Sequence, residues 1–75
     1  MDHSIYKTYR EQLKTTAVLI KQETNDKGLI RETINLNADS LIKDLDYHLL
    51  REEISGKQFN LYCNWLSSLA CKLHP

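Results

Sequence analysis

The chain has 75 residues, with ten Lys and Arg against ten Asp and Glu, and 27% of it is charged. That length allows one domain with one modest core, and the balanced charge supplies no bulk field to draw nucleic acid or a membrane. Only two glycines are present, so a glycine-rich phosphate loop is excluded, and no run approaches the roughly 20 apolar residues that span a bilayer. The segment Met1–Arg10 has neither an apolar core nor a small-residue cleavage site, so no signal peptide is expected. Cys63 and Cys71 lie eight residues apart in one apolar-rich segment, about 12 Å along a helix and too far for a disulfide within it. Two reduced thiols used for packing suggest a cytoplasmic chain.

The spacing predicts a first helix over residues 4–23. Ile5, Tyr9, Leu13, Ala17 and Ile20 fall on one face with Tyr6 at its edge, an arc of about 120° that suits docking on a core. Lys7, Arg10, Lys14 and Lys21 form a basic stripe beside it, expected to be a solvated face. Thr24-Asn25-Asp26-Lys27-Gly28 is expected to end this helix, with Asn and Gly able to adopt a left-handed C-terminal cap.

Leu29–Ile34 is ambiguous: Ile30 and Ile34 at a step of four favour a short helix over 29–34, while the β-branched content would also allow an extended piece. Asn35-Leu36-Asn37 reads as a turn, with Asn37 capping a third helix over 38–54 and Asp39 in its first turn. Leu41, Ile42, Leu45 and Leu49 give that helix its main face. Tyr47, Leu50 and Ile54 form a second apolar line pointing nearly the opposite way, and two lines imply two neighbours. Ser55 with Gln58 three residues later is a capping box that opens a last helix over 56–73, which Pro75 stops.

That last helix contains the least polar stretch of the chain, with no charged residue from Gln58 to Cys71. Phe59, Tyr62, Leu66, Leu69 and Leu73 share a face. Cys63 and Ala70 widen it on one flank, and Leu61 and Trp65 on the other, to roughly 200°, about twice what one neighbour requires. A helix so widely apolar is either the centre of the domain or shares its second side with another chain. The expected architecture is all-α, a single small helical domain over 1–75 built as a compact bundle of three long helices plus one short one.

The segment Ile30–Leu45 resembles a helix-turn-helix, with a first helix ending at Ile34, a turn at Asn35, a capping Asn37, and Leu41 and Leu45 facing inward. The resemblance implies a DNA-binding regulator whose second helix enters the major groove, with Asn37, Asp39, Ser40 and Lys43 pointing outward. Arg31 departs from the pattern where a small residue is wanted, and Asp44 where an apolar one is wanted. Carboxylates facing the phosphate backbone also work against DNA affinity. Separately, Leu36-x-x-x-Ser40-Leu41 followed by Leu45 and Leu49 is similar to small biofilm and two-component connector proteins of enteric bacteria, which are helical protein-binding regulators. That likeness covers under half the chain and rests on leucine spacing that any amphipathic helix shows, so it assigns no family.

Chemistry finds little support in the residues. Cys63, Cys71, His74 and His48 include only one close pair, Cys71 and His74, at a helix end expected to fray, so no metal site is expected. His3 and His74 are near the termini, and His48 borders the main face of the third helix. No nucleophile, base and oxyanion donor converge, so neither an enzyme, a cofactor nor a small-molecule substrate is expected. What remains is apolar surface beyond what one core uses. Tyr47, Leu50, Ile54, Leu61 and Trp65 are the candidate contact residues, Trp and Tyr being favoured at interfaces for their large area and low entropic cost. The sequence therefore points to a regulator, adaptor or inhibitor acting through protein contact, including self-association as a homodimer, with the helix-turn-helix regulator as the alternative.

Overall fold

A computed structural model describes residues 3–75. It contains three helices, α1 (Ser4–Glu23), α2 (Lys27–Leu50) and α3 (Gly56–Leu73), joined by two short links. No strand occurs among the described residues. The helices run up, down and up, giving a rod about 40 × 17 × 16 Å. α2 packs along both neighbours, whereas α1 and α3 meet over a shorter stretch. The middle element is therefore α2, although α3 has the wider apolar arc.

The two helices expected over 29–34 and 38–54 are one helix. Ile30, Ile34, Ala38, Leu41 and Leu45 form a line of buried residues that runs straight through Asn35-Leu36-Asn37. Two asparagines in a helix interior cost at most about 0.7 kcal/mol each. Each large side chain that the continuous helix keeps in the core is worth roughly 1.5–3 kcal/mol. Burial wins over local turn propensity. Asn35 also finds a tertiary use, since its Oδ1 lies 2.8 Å from Nε2 of His74 at the end of α3.

The core completes itself as the periodicities require. Leu13 and Ala17 of α1 meet Tyr62, Leu66 and Ala70 of α3 around that central line. Ile5, Tyr6, Tyr9 and Ile20 from α1, and Phe59, Leu61, Cys63, Trp65, Leu69 and Leu73 from α3, pack partly buried against it.

The links are built by side chains and one strained residue. Between α1 and α2, Thr24 is extended and its Oγ1 accepts from the Asp26 amide, while Asp26 Oδ1 accepts from the Leu29 amide and caps α2. Gly28 thus lies inside the first turn of α2, at negative φ, and does not end α1 as its residue type suggested. The capping box between Ser55 and Gln58 forms as expected, with both reciprocal bonds near 3 Å.

α2 stops at Leu50, short of the expected end at Ile54. The Glu53 amide donates to the His48 carbonyl and the Glu52 amide to the Leu49 carbonyl, the paired bonds of a Schellman terminus. The geometry requires a left-handed residue, and Glu52 supplies it at φ 61°. The chain then turns Ile54 under the bundle, where it is 5% exposed.

Two stability predictions follow from these links. Replacing Glu52→Gly removes the steric cost of the left-handed conformation and should raise stability by about 0.5–1 kcal/mol. A rise of roughly 4–8 °C in thermal midpoint per kcal/mol is expected for a domain of this size. Ser55→Ala should cost about 1 kcal/mol through loss of the cap. Calorimetry of the two variants beside the parent chain tests both signs.

Candidate functional site

The contact residues read from the sequence separate into three environments. Ile54 belongs to the core. Leu61 and Trp65 are half-buried on α3, and Trp65 sits edge-on to Tyr6 at 4.9 Å and to His3 at 5.3 Å between ring centres. Trp65 is thereby engaged by α1. Tyr47 and Leu50 remain on the outside, 59% and 74% exposed. Tyr47 lies under the Arg51 guanidinium, 5.6 Å from its ring centre.

Two residues join them, one from the expected short helix and one from the expected turn. Leu29 and Leu36 are 45% and 62% exposed. On one continuous helix, Leu29, Leu36, Lys43 and Leu50 follow one another at steps of seven, with Tyr47 on the same side. At 100° per residue this stripe lies within about 60° of arc, on the far side of α2 from Ile34 and Leu45. The i, i+7 spacing was present in the sequence. It becomes meaningful only when α2 is unbroken.

The carboxylates of α2 flank this stripe. Glu32, Asp39 and Asp46 recur at steps of seven along one edge, and Asp44 stands on the other. All four are exposed, and none joins an ion pair among the described residues. Arg51 pairs with Glu53 at 3.2 Å, an exposed and weakly coupled pair that leaves a cation at the C-terminal end of the stripe.

Of the outward residues proposed for a DNA-reading helix, Asp39, Ser40 and Lys43 are exposed on α2. Asn37 is half-buried toward α1, its Oδ1 enclosed without a hydrogen-bond partner among the described residues. It neither caps a helix nor points outward. With residues 35–37 helical, the turn that defines a helix-turn-helix is missing. Beside Asn37 a shallow open groove runs along α1, lined by Thr8, Gln12, Thr15 and Thr16. Of the basic stripe, Lys7, Lys14 and Lys21 face solvent, but Arg10 is half-buried, with its guanidinium 5.9 Å from the Tyr6 ring centre.

Polar side chains with chemical potential are used for architecture. His3 Nδ1 and the Tyr62 hydroxyl are 2.8 Å apart, and Tyr62, 1% exposed, also accepts from Gln58 Nε2 at 3.3 Å. The Tyr9 hydroxyl lies 2.8 Å from His48 Nε2, and His48 Nδ1 lies 3.4 Å from Glu53 Oε1, an ion-pair separation without good hydrogen-bond geometry. Hydroxyl, imidazole and carboxylate in that order resemble a proton relay. Burial, then Asp44, then Glu53 push the Tyr9 phenol above its ordinary value of 10.0, so it holds its proton rather than acting as an activated nucleophile. The arrangement instead ties α1 to the end of α2 and to the following turn.

Cys63 is half-buried and Cys71 exposed, both as free thiols. No three His, Cys, Asp or Glu side chains gather as a metal site among the described residues. No described helix is long and apolar enough to cross a membrane. Comparison with protein-family models, with curated proteins and with solved structures gives no match.

The titrating groups predict how stability changes in alkali. Burial, aided by Asp46, raises the Cys63 thiol above its ordinary 9.0, as burial and two carboxylates raise Tyr9 above 10.0. Folding holds both protons more tightly than the unfolded chain does. The stabilisation is therefore full below those ordinary values and is lost as pH rises through the higher folded ones. Urea midpoints should fall from about pH 9 upward. Cys63→Ala should delay the onset to about pH 10, and Tyr9→Phe in addition should flatten the remaining decline. An unchanged pH profile in both variants would show that neither group carries it.

Proposed function

We propose that this protein is a small non-enzymatic helical regulator, adaptor or inhibitor that acts by non-covalent contact with another protein through the outer face of α2. One observation carries the reading: of the six large apolar side chains exposed among the described residues, four, Leu29, Leu36, Tyr47 and Leu50, stand on one side of a single helix, the other two being Val18 and Leu19 on α1. Isolated surface leucines are ordinary, whereas an aligned apolar patch on a small domain is the usual signature of a contact surface. Tyr47 supplies an aromatic anchor with a hydroxyl for the rim, and Lys43 interrupts the patch enough to keep the free chain dispersed. A cytoplasmic setting is part of the same reading, since the chain has only two cysteines, unpaired on one helix, and no disulfide framework.

A helix-turn-helix mode is disfavoured, because Asn35-Leu36-Asn37 belongs to the interior of α2. Duplex DNA would also meet the acidic edge formed by Glu32, Asp39 and Asp46, which opposes phosphate contact.

The test uses the double variant Leu36→Asp with Leu50→Asp. Both residues lie outside the core, so the thermal midpoint should stay within a few degrees of the parent. A photo-crosslinker at Ser40, in the middle of the stripe, should yield protein adducts in cells expressing the full chain, and the double variant should lose them. Adducts that persist unchanged in the double variant, or equal adducts from a crosslinker at Thr15 on α1, would remove the reading.

A further inference from the structure

The charge around the stripe says what kind of surface fits it. Along the stripe, from residue 29 to residue 50, the exposed charged residues of α2 are Glu32, Asp39, Asp44 and Asp46 against Arg31 and Lys43. Three of the carboxylates form a row beside the leucines and the fourth closes the opposite edge. None of the four joins an ion pair among the described residues, and Asp44 and Asp46 stand near enough to the Tyr9 phenol and the Cys63 thiol to add to the upward shift that burial gives each.

A second copy of the chain meets this pattern poorly. In an antiparallel pairing of two α2 helices about a two-fold axis, the row Glu32, Asp39, Asp46 would lie against its own copy, carboxylate beside carboxylate. In a parallel pairing Lys43 would face Lys43, and Asp39 would approach Asp44. Like charges placed across a seam are destabilising, and this is how coiled-coil surfaces reject wrong partners. Neither orientation lets the apolar stripe close without such juxtapositions.

We infer that the outer face of α2 receives a basic amphipathic helix of a different protein, one with leucine-sized residues along one side and Lys or Arg on both flanks. This rests on the contact reading above and specifies its partner. The stripe from Leu29 to Leu50 runs about 31 Å, so a partner helix of roughly 20 residues covers it. Strict seven-residue spacing of Leu29, Leu36, Lys43 and Leu50 suits a left-handed crossing at a shallow angle. Leucines of the partner would fill the gaps beside Leu36 and Tyr47. Its cations would lie over Glu32, Asp39 and Asp46 on one edge and Asp44 on the other.

The experiment titrates two synthetic 21-residue helical peptides, identical in leucine spacing, one with Lys and Arg on both flanks and one with Glu in their place, into the isotope-labelled full chain. The basic peptide should bind saturably, perturbing amides of residues 29–50 and leaving α3 unmoved. The acidic twin should bind at least about tenfold more weakly, and added salt should narrow the difference. Lys43→Glu should tighten the basic peptide, Asp39→Lys with Asp46→Lys should reverse the preference, and Leu36→Asp should abolish binding to both. The inference is overturned if neither peptide binds, if both bind alike, or if the perturbed amides lie elsewhere.

Light scattering on the chain alone supplies the remaining arm. A dimer at micromolar concentration that Leu36→Asp dissolves would assign the face to a second copy, overturning this inference while keeping the contact reading. A monomer whose cellular crosslinks from Ser40 disappear in the Leu36→Asp, Leu50→Asp variant, but which ignores the basic peptide, would separate the two in the same way. Crosslinks that survive that variant would remove both.

Discussion

The unbroken run of α2 is the constraint from which the other features of the molecule descend. Ile30, Ile34, Ala38, Leu41 and Leu45 can share one core only if the backbone between them stays helical, so Asn35 and Asn37 are carried through as helix-interior residues. The consequences extend to both sides of the helix. Inward, the line gives α1 and α3 a common wall. Outward, it fixes the phase of every other residue, bringing Leu29, Leu36 and Leu50 onto one side and the carboxylates onto its edges. A turn at Asn35 would have scattered both sets.

Around that wall the bundle is closed by three histidine contacts, each joining segments distant in the chain. His3 reaches Tyr62, Tyr9 reaches His48, and Asn35 reaches His74. His3 and His74 flank the ends of α1 and α3, where a short bundle frays, and each gains an intramolecular hydrogen bond there. A typical bond of this kind is worth only about 1 kcal/mol net, but that is a sizeable fraction of what a domain of this length has to spare. The rings add area as well as bonds: His3, Tyr6, Tyr62 and Trp65 pack at centre distances of 4.9–5.9 Å, so Trp65 belongs to the closure of the bundle. Conversely, Leu50 stays 74% exposed. The two aromatic and leucine clusters that look equivalent in a helical projection therefore have different fates.

The sequence was legible wherever periodicity and capping spoke together. The limits of α1, the Ser55–Gln58 box, and the inward faces of Leu13, Leu45, Tyr62 and Leu66 all follow from spacing. It misled where a residue type with a strong local preference was overruled from a distance. Asn37 looks like a cap, but the burial of Ile34 and Ala38 outweighs that preference, and only tertiary packing decides the contest. Glu52 is the opposite case: glutamate gives no hint of a left-handed residue, and the Schellman bonds impose it. Ile54 then moves from an apparent outer line to the core. The candidate contact face was half visible, in Tyr47 and Leu50, and half hidden, in Leu29 and Leu36, because a falsely placed turn broke the helical phase between them.

That phase also bears on why the leucines are there at all. With eleven buried apolar residues among those described, the core forms without Leu29, Leu36 or Leu50. Their exposed area adds little to the folded state, and polar residues of equal helix propensity would lower the risk of aggregation. The acidic edges limit that risk by repelling other copies, while leaving the stripe attractive to a surface of opposite sign. In the proposed contact, an apolar seam bordered mainly by carboxylates would act as a specificity device: the leucines would supply the affinity, and the carboxylates would decide which partners approach closely enough to use it. On the proposed reading Asp39 and Asp46 would matter as much to the face as Leu36, although they need touch no apolar atom of a partner.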